Sequence, residues 1–184
     1  MRSLIENLSL LASLGNPSKK KVPCDIESII QAVLKELPDL PGEKKVVVPM
    51  GSLPVVKGDI TQYKQLFRSL LENTFKFKKK EIPAQVEIFS EQLTDKEKQL
   101  HGLACSNSYF KISIADKGIG FRQEYAEKIF LPFVRLNGKS EYSGSGIGLA
   151  ICKKIVENHC GIIYAEAYEN FGAKFTLLLP ISPD

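Results

Sequence analysis

The chain has no tryptophan and only two histidines, His101 and His159, in 184 residues, and its four cysteines form no Cys-x-x-Cys pair. Those numbers and spacings exclude a zinc finger and a disulfide framework, and unpaired Cys24, Cys105, Cys152 and Cys160 suit a reducing compartment. No apolar run reaches the roughly 18 to 20 residues that cross a bilayer, and the N-terminus lacks a signal-peptide pattern. The expectation is a cytoplasmic chain that does not itself enter a membrane. A dominant charge is missing too: 25 Lys and Arg stand against 21 Asp and Glu. Apart from Lys19-Lys-Lys and Lys78-Lys-Lys the basic residues are dispersed, so nucleic acid is not an expected partner.

What is present suffices for one domain with a real core, since 43% of the residues are apolar. Leu4, Leu8 and Leu11 are spaced for one face of a short helix over residues 1–14, ended by Gly15-Asn-Pro. Such a helix is marginal alone. It is either a local helix packed on the domain or the last turns of a longer one upstream. A second amphipathic helix is expected over 25–37, with Asp25 as N-cap and Ile26, Ile29, Ile30, Val33 and Leu37 on one face. Val46-Val-Val and Pro54-Val-Val read as short strands.

The strongest helix starts at Asp59 and runs to about Lys78, with Gln62 placed for a capping box. Tyr63, Leu66, Phe67, Leu70 and Phe77 mark its buried face, and Asn73 falls on the same stripe, where an amide needs a partner. A strand over Gln85–Ser90, a polar excursion over 91–108 without clear period, and a strand from Tyr109 follow. Phe110, Ile112 and Ile114 share a face by the period of two, and the count places Asp116 on that inward side, where a carboxylate is costly without a partner. Gly118 and Gly120 come next and leave room for a flat ligand. Residues 121–143 offer a short helix around Glu124–Lys128 and then a long irregular stretch in which Phe130 and Phe133 could anchor a lid.

Gly144-Ser-Gly-Ile-Gly-Leu-Ala then opens a helix of residues 147–159, capped by Gly161. Glycines at 144, 146 and 148 permit positive φ and close approach, and the free N–H groups of a helix start suit an anion such as phosphate. A dinucleotide fingerprint would need a strand directly before the glycines, and a P-loop would need Gly-Lys-Ser/Thr at its end; neither is present. His159, at the helix C-terminus, is placed where a cation meets the dipole favourably. Residues 162–167 and 174–179 read as closing strands joined by Glu169-Asn-Phe-Gly.

An asparagine on a helix face, Asp-x-Gly-x-Gly after a strand and Gly-x-Gly-x-Gly opening a helix, in that order, resemble the ATP-binding catalytic domain of sensor histidine kinases. That domain is one of the Bergerat-fold ATPases, with gyrase, the Hsp90 chaperones and MutL. The likeness runs from about Asp25 to the C-terminus: Gln65-Leu-Phe-Arg-Ser-Leu-Leu-Glu-Asn-Thr-Phe-Lys-Phe looks like the N box, Asp116-Lys-Gly-Ile-Gly the first G box, Phe130-Leu-Pro-Phe the F box and Gly144-Ser-Gly-Ile-Gly-Leu-Ala the second. The resemblance implies a two-layer α/β sandwich, with a mixed, mostly antiparallel sheet of about five strands covered on one face by helices.

It also implies a division of residues 1–14 as the end of a dimerisation hairpin, 15–24 as linker and 25–184 as the ATP-binding kinase domain, with a lid at about 130–146. By the same resemblance, ATP would be bound by Asn73, Lys76, Phe77, Asp116, Gly118, Gly120, Phe130, Phe133, Arg135, Gly144, Ser145, Gly146, Ile147, Gly148 and Leu149. Asn73 would serve Mg²⁺, Lys76 and Arg135 the phosphates, and Asp116 the adenine amino group. The implied activity is transfer of the γ-phosphate to a histidine on an upstream dimerisation domain, for relay to a response-regulator receiver domain, within a homodimer. Neither His101 nor His159 has the acceptor's context, so this chain alone is expected to bind ATP without phosphorylating itself.

Departures from the family pattern stand at Ser69, where an asparagine is usual, at Thr74, and at Lys174, where a small hydroxyl residue is common. Ser69 also separates the readings: hydrolases of the gyrase and MutL kind carry a glutamate there to activate water. The alternatives to a kinase are such an ATPase, or a degenerate nucleotide-binding module used for regulation.

Overall fold

The computed structural model describes residues 9, 11–12, 14, 21–37, 46–50, 52–79, 83–136 and 144–182. Most of the expected helix over 1–14 and of the linker, and the middle of the expected lid, lie outside these residues. Within 1–14, Ser9, Leu11 and Ala12 are helical, and Leu14 is buried in the main core with its carbonyl accepting from Asn158 Nδ2 at 2.8 Å.

Capping explains where the helices begin. Asp25 accepts from the Glu27 N–H at 3.1 Å and the Ser28 hydroxyl at 2.6 Å, starting α1 (Ile26–Glu36), which buries Ile26, Ile29, Ile30 and Val33. Asp59 Oδ1 accepts from Thr61 and Gln62 N–H groups at 2.8 and 3.3 Å, starting α2 (Ile60–Lys76). The expected capping box is only half formed, because Gln62 Oε1 is buried without a partner. Leu66, Phe67, Leu70 and Leu71 of α2 are fully buried. At about 1.5–3 kcal/mol for each side chain, that burial outweighs any difference in helix propensity along this stretch. Phe77, expected on the buried face, is the half-buried C-cap, and Phe75 goes into the core in its place.

Five strands make the main sheet: β2 (Val46–Met50), β4 (Gln85–Gln92), β5 (Tyr109–Asp116), β6 (Ile162–Tyr168) and β7 (Gly172–Pro180), in the order β2-β4-β5-β7-β6. Only the β2–β4 pair is parallel, so the sheet is mixed and mostly antiparallel as expected. The register places Ile88, Ile114, Phe175 and Ala165 in one row and Ile112, Leu177 and Ile163 in another. Helices α1, α2 and α4 (Gly148–Asn158) bury this face in a single cluster. A separate two-stranded ribbon pairs β1 (Val22–Asp25) with β3 (Val55–Gly58) antiparallel, so ordered pairing begins within the stretch assigned to the linker.

Several local expectations are corrected. Residues 91–108 are not featureless: α3 (Asp95–Leu100) starts from a complete capping box between Thr94 and Glu97. It overlies the opposite face of the sheet, where Leu93, Tyr109 and Leu178 form a small second core. The helix around 124–128 is instead two 3₁₀ turns, Gln123–Tyr125 and Lys128–Phe130. The end of α4 is a Schellman turn in which Cys160, with φ 56°, takes the left-handed position and Gly161 follows, its N–H donating to the Val156 carbonyl at 2.9 Å.

His159 is not the dipole-paired cation of the sequence reading. It is 2% exposed and its ring lies 4.3 Å from that of Tyr63. Nε2 accepts from the Asp59 N–H at 3.0 Å, which leaves the proton on Nδ1, 2.7 Å from the Ile155 carbonyl. One neutral imidazole thus ties the end of α4 to the start of α2. Burial pushes it below its ordinary 6.5; the Ile155 carbonyl and Asp59 pull it up, and Lys21 adds to the fall.

Because the unfolded chain takes up a proton near 6.5 and the folded one only at lower pH, stability is full above 6.5 and is lost as pH falls from there toward the folded value. Denaturant unfolding at about pH 7.5 and about pH 5.5 should show that loss. His159→Phe keeps a ring but leaves the Asp59 N–H unpaired; it should cost about 1–3 kcal/mol at the higher pH and flatten the pH dependence.

Candidate functional site

Helix α2 carries two stripes. One enters the core; the other, spaced three and four residues apart through Gln65, Ser69, Glu72, Asn73 and Lys76, lines a cavity of about 700 Å³. The end of β5, the 3₁₀ segment, the first residues after Phe133 and the glycine loop complete its walls.

Asp116 lies in the wall at the C-terminal end of α2, where the Ile119 N–H donates to the Phe77 carbonyl at 2.9 Å. Burial pushes its carboxyl above the ordinary carboxylate value of 3.8, against the pull of two backbone N–H groups. Both donate to the same oxygen: Gly118 at 2.9 Å and Ala173 at 3.1 Å reach Oδ1. Oδ2 remains to accept from a ligand. The start of β7 is fixed closely, since Gly172 has φ 99° and a Cβ there would stand 2.0 Å from the Asp116 carbonyl oxygen.

Cations gather in a different wall. Burial first, and then the charge of Arg135, push Lys76 below its usual pKa. Its Nζ lies so close to Gly144 that a Cβ at that position would be 2.8 Å away. Arg135 Nη1 donates to the Gly144 carbonyl at 3.0 Å, and the Phe133 N–H donates to the Gly146 carbonyl at 2.9 Å. Gly146, with φ 71°, is where the loop folds back against Val134 and Arg135. The loop ends at Ile147, the N-cap of α4, which offers no side-chain cap to the first N–H groups. An added Cβ on Gly148 would lie 4.0 Å from that of Ser69. A half-buried ammonium, a guanidinium and an uncapped helix start converge on one stretch of cavity; an anion would relieve the repulsion between the two cations.

Of the residues expected in the site, Asn73, Lys76, Phe77, Asp116, Gly120, Arg135, Gly144, Ser145, Gly146, Gly148 and Leu149 line the cavity. Four do not, and each has another task. Gly118 packs on the Phe77 carbonyl and holds Asp116; Phe130 is buried edge-to-face with Phe175; Ile147 is fully buried. Phe133 is 53% exposed with φ 66°, so its backbone and not its ring anchors the loop.

Sequence reasoning missed Gln65, Arg68, Glu72, Phe121 and Ala173. Helical spacing from Asn73 and Ser69 was a signal for Gln65 and Glu72. Ala173 gave none, since its contribution is a backbone N–H. Ser69 is buried with its hydroxyl accepting from Gln65 Nε2 at 3.2 Å, and Thr74 donates to the Leu70 carbonyl at 3.4 Å. Lys174 points to the other face of the sheet, paired with Glu166 at 2.5 Å, so that departure does not reach the cavity.

The family described as "Histidine kinase-, DNA gyrase B-, and HSP90-like ATPase" matches residues 58–183. Cyanobacterial phytochrome A from Nostoc sp. is 32% identical over 181 residues, 98% of this chain, and the adaptive-response sensory kinase SasA from Microcystis aeruginosa is 31% identical over 160 residues, 85% of this chain. The chain spans 22% of the phytochrome and 38% of SasA. Among solved structures, full-length ShkA in complex with AMPPNP superposes with a TM-score of 0.74 at 21% identity, over 98% of this chain and 36% of that one. The mycobacterial sensor histidine kinase MprB gives 0.67 at 22% identity, over 89% and 99%. At those identities the structural likeness speaks for the fold.

The contact at Gly172 yields a test. Gly172→Ala should lower stability by about 2 kcal/mol or more, from left-handed strain and the clash with the Asp116 carbonyl. Thermal unfolding indistinguishable from the parent chain would show that β7 does not start where it is drawn.

Proposed function

This chain belongs to the histidine kinase-, DNA gyrase B- and HSP90-like ATPase family, and from that premise we propose that it binds ATP with Mg²⁺ and donates the γ-phosphate to a histidine on an upstream dimerisation domain. A response-regulator receiver domain would take the phosphate onward. The working protein would be a homodimer acting in the cytoplasm, with residues 1–14 as the end of the dimerisation hairpin and 25–184 as the catalytic domain.

The observation that carries this reading is the charge layout of the cavity, with Asp116 in one wall and Lys76 and Arg135 at the glycine loop in another. Asp116 Oδ2 suits the adenine amino group, and the half-buried Phe77 and the backbone of Gly120 line the wall beside it, the missing Gly120 side chain making way for the Tyr168 carbonyl. Lys76, Arg135 and the start of α4 suit the phosphates. Among the described residues no cluster of three or more His, Cys, Asp or Glu side chains could hold a metal unaided. That fits Mg²⁺, which keeps waters and takes one or two protein oxygens together with phosphates; Asn73, beside Glu72 in the cavity wall, would provide one. Bound there, Mg²⁺ would supply charge neutralisation.

For phosphoryl transfer the chain's own residues position and neutralise. The bond from the γ-phosphorus to the β–γ bridging oxygen breaks, leaving ADP. A bond forms to the imidazole nitrogen that carries the lone pair, and the other ring nitrogen gives up its proton to water or a base on the acceptor domain. Neither histidine here suits that role: His159 is buried with both nitrogens engaged, and His101 stacks on Tyr164 on the far side of the sheet. A hydrolytic reading would rest on Glu72, the other carboxylate lining the cavity. It predicts turnover without acceptor that Glu72→Gln abolishes.

Calorimetric titration with Mg²⁺ and ATP should show binding that weakens about tenfold or more in Asn73→Ala and in Asp116→Asn. Asp116 accepts most strongly when ionised, since protonation turns one oxygen into a donor, and its pKa is raised above 3.8, so affinity should fall on acidification at a higher pH than an ordinary carboxylate would give. Unchanged affinity in both variants would sink the site assignment. Labelled phosphate incorporated at His101 or His159 of this chain alone would refute the need for an external acceptor.

A further inference from the structure

We propose that Arg68 recognises the terminal phosphate of the bound nucleotide, and that its ion pair with Glu36 at the end of α1 restrains it when that phosphate is absent. The proposal rests on the nucleotide reading above and adds a residue and a discrimination to it.

The cavity has a direction. Asp116 stands at the C-terminal end of α2, where Ile119 bonds the Phe77 carbonyl. The glycine loop starts at Gly144 against Lys76 and ends at Gly148 beside Ser69, so it runs back along α2 toward the N-terminal half of that helix. Lys76 and Ser69 are seven residues apart, about 10 Å of helix axis. A nucleotide with its base at Asp116 and its first phosphates by Lys76 therefore extends its last phosphate toward Ser69 and the start of α4.

At that end a charge is needed to meet the last phosphate, and Ser69, a neutral hydroxyl that is buried and accepts from Gln65 Nε2, does not supply one. The next residue is Arg68, which also lines the cavity. Its guanidinium pairs with Glu36, and the two side chains are 26% and 49% exposed. Ion pairs this exposed contribute little, so exchange for a phosphate costs little. A guanidinium fork suits phosphate oxygens in a bidentate geometry that Glu36, one carboxylate at the surface, competes for only weakly. Arg68 is thus placed to bind where ATP has a phosphate and ADP has none, while Lys76 and Arg135 serve both nucleotides.

The test compares ATP with ADP, each with Mg²⁺, by calorimetry on the parent chain, Arg68→Ala and Glu36→Gln. Arg68→Ala should reduce the preference for ATP over ADP about tenfold, with ADP affinity changing much less. Glu36→Gln should release the guanidinium and strengthen ATP about two- to fivefold while leaving ADP unchanged. The same ATP-to-ADP ratio in the parent chain and in Arg68→Ala would overturn the proposal while leaving the nucleotide site standing. Should Arg68→Ala fail to fold, Glu36→Gln decides: equal ATP affinity with and without the carboxylate would overturn it. Failure of the parent chain to bind either nucleotide would instead remove the reading on which the proposal rests.

Discussion

A single carboxylate oxygen joins three parts of the molecule. Asp116 Oδ1 accepts one N–H from the turn that follows its own strand, at Gly118, and one from the start of β7, at Ala173. A buried charge without such donors would be too costly to keep, and with them it fixes the relative positions of β5, its glycine turn and the β6–β7 hairpin. The fit is close enough that Gly172 has no room for a side chain. The turn in turn packs against the Phe77 carbonyl at the end of α2, so the carboxylate, the helix end and the hairpin move together or not at all. Both donors use one oxygen, and the second is engaged by neither. The same pair of bonds that permits burial also orients the group toward the cavity.

Helix α2 meets the other half of the requirement. Its fully buried face of Tyr63, Leu66, Phe67 and Leu70 is what holds it on the sheet, and the neighbouring stripe is thereby presented to the cavity without being able to rotate away. At its N-terminal end, Asp59 caps the helix with a side-chain oxygen and gives its own N–H to His159. The glycine loop's helix, α4, is therefore anchored at its far end to the start of α2, while its near end is left uncapped at the site. Rigidity at one end and free backbone donors at the other follow from the same packing.

Much of this was legible from side-chain periodicity, and the failures have a common physical origin. The period of two along Ile112, Ile114 and Asp116 placed the carboxylate correctly, because strand alternation is a geometric necessity. Asp25 and Asp59 signalled helix starts for the same reason, since a cap is a local contact. Contributions made by backbone atoms or by distant partners left no mark. Ala173 acts through an N–H, Phe133 through backbone at a positive φ, and Cys160 takes a left-handed position that glycine was expected to fill. His159 looked like a surface cation because its partners, Tyr63 and Asp59, are about a hundred residues away in sequence. Lys174 looked like a departure within the site because motif position says nothing about which face of β7 a side chain takes.

The electrostatics of the glycine loop then link occupancy to loop position. Lys76 is held below its usual pKa chiefly by burial and secondly by Arg135, so in the absence of an anion the two cations oppose each other across Gly144. Arg135 is nonetheless fastened to that glycine's carbonyl, and the Phe133 N–H to that of Gly146. An anion between the cations reverses the sign of the interaction: it favours the charged form of Lys76 and the loop placement seen here together.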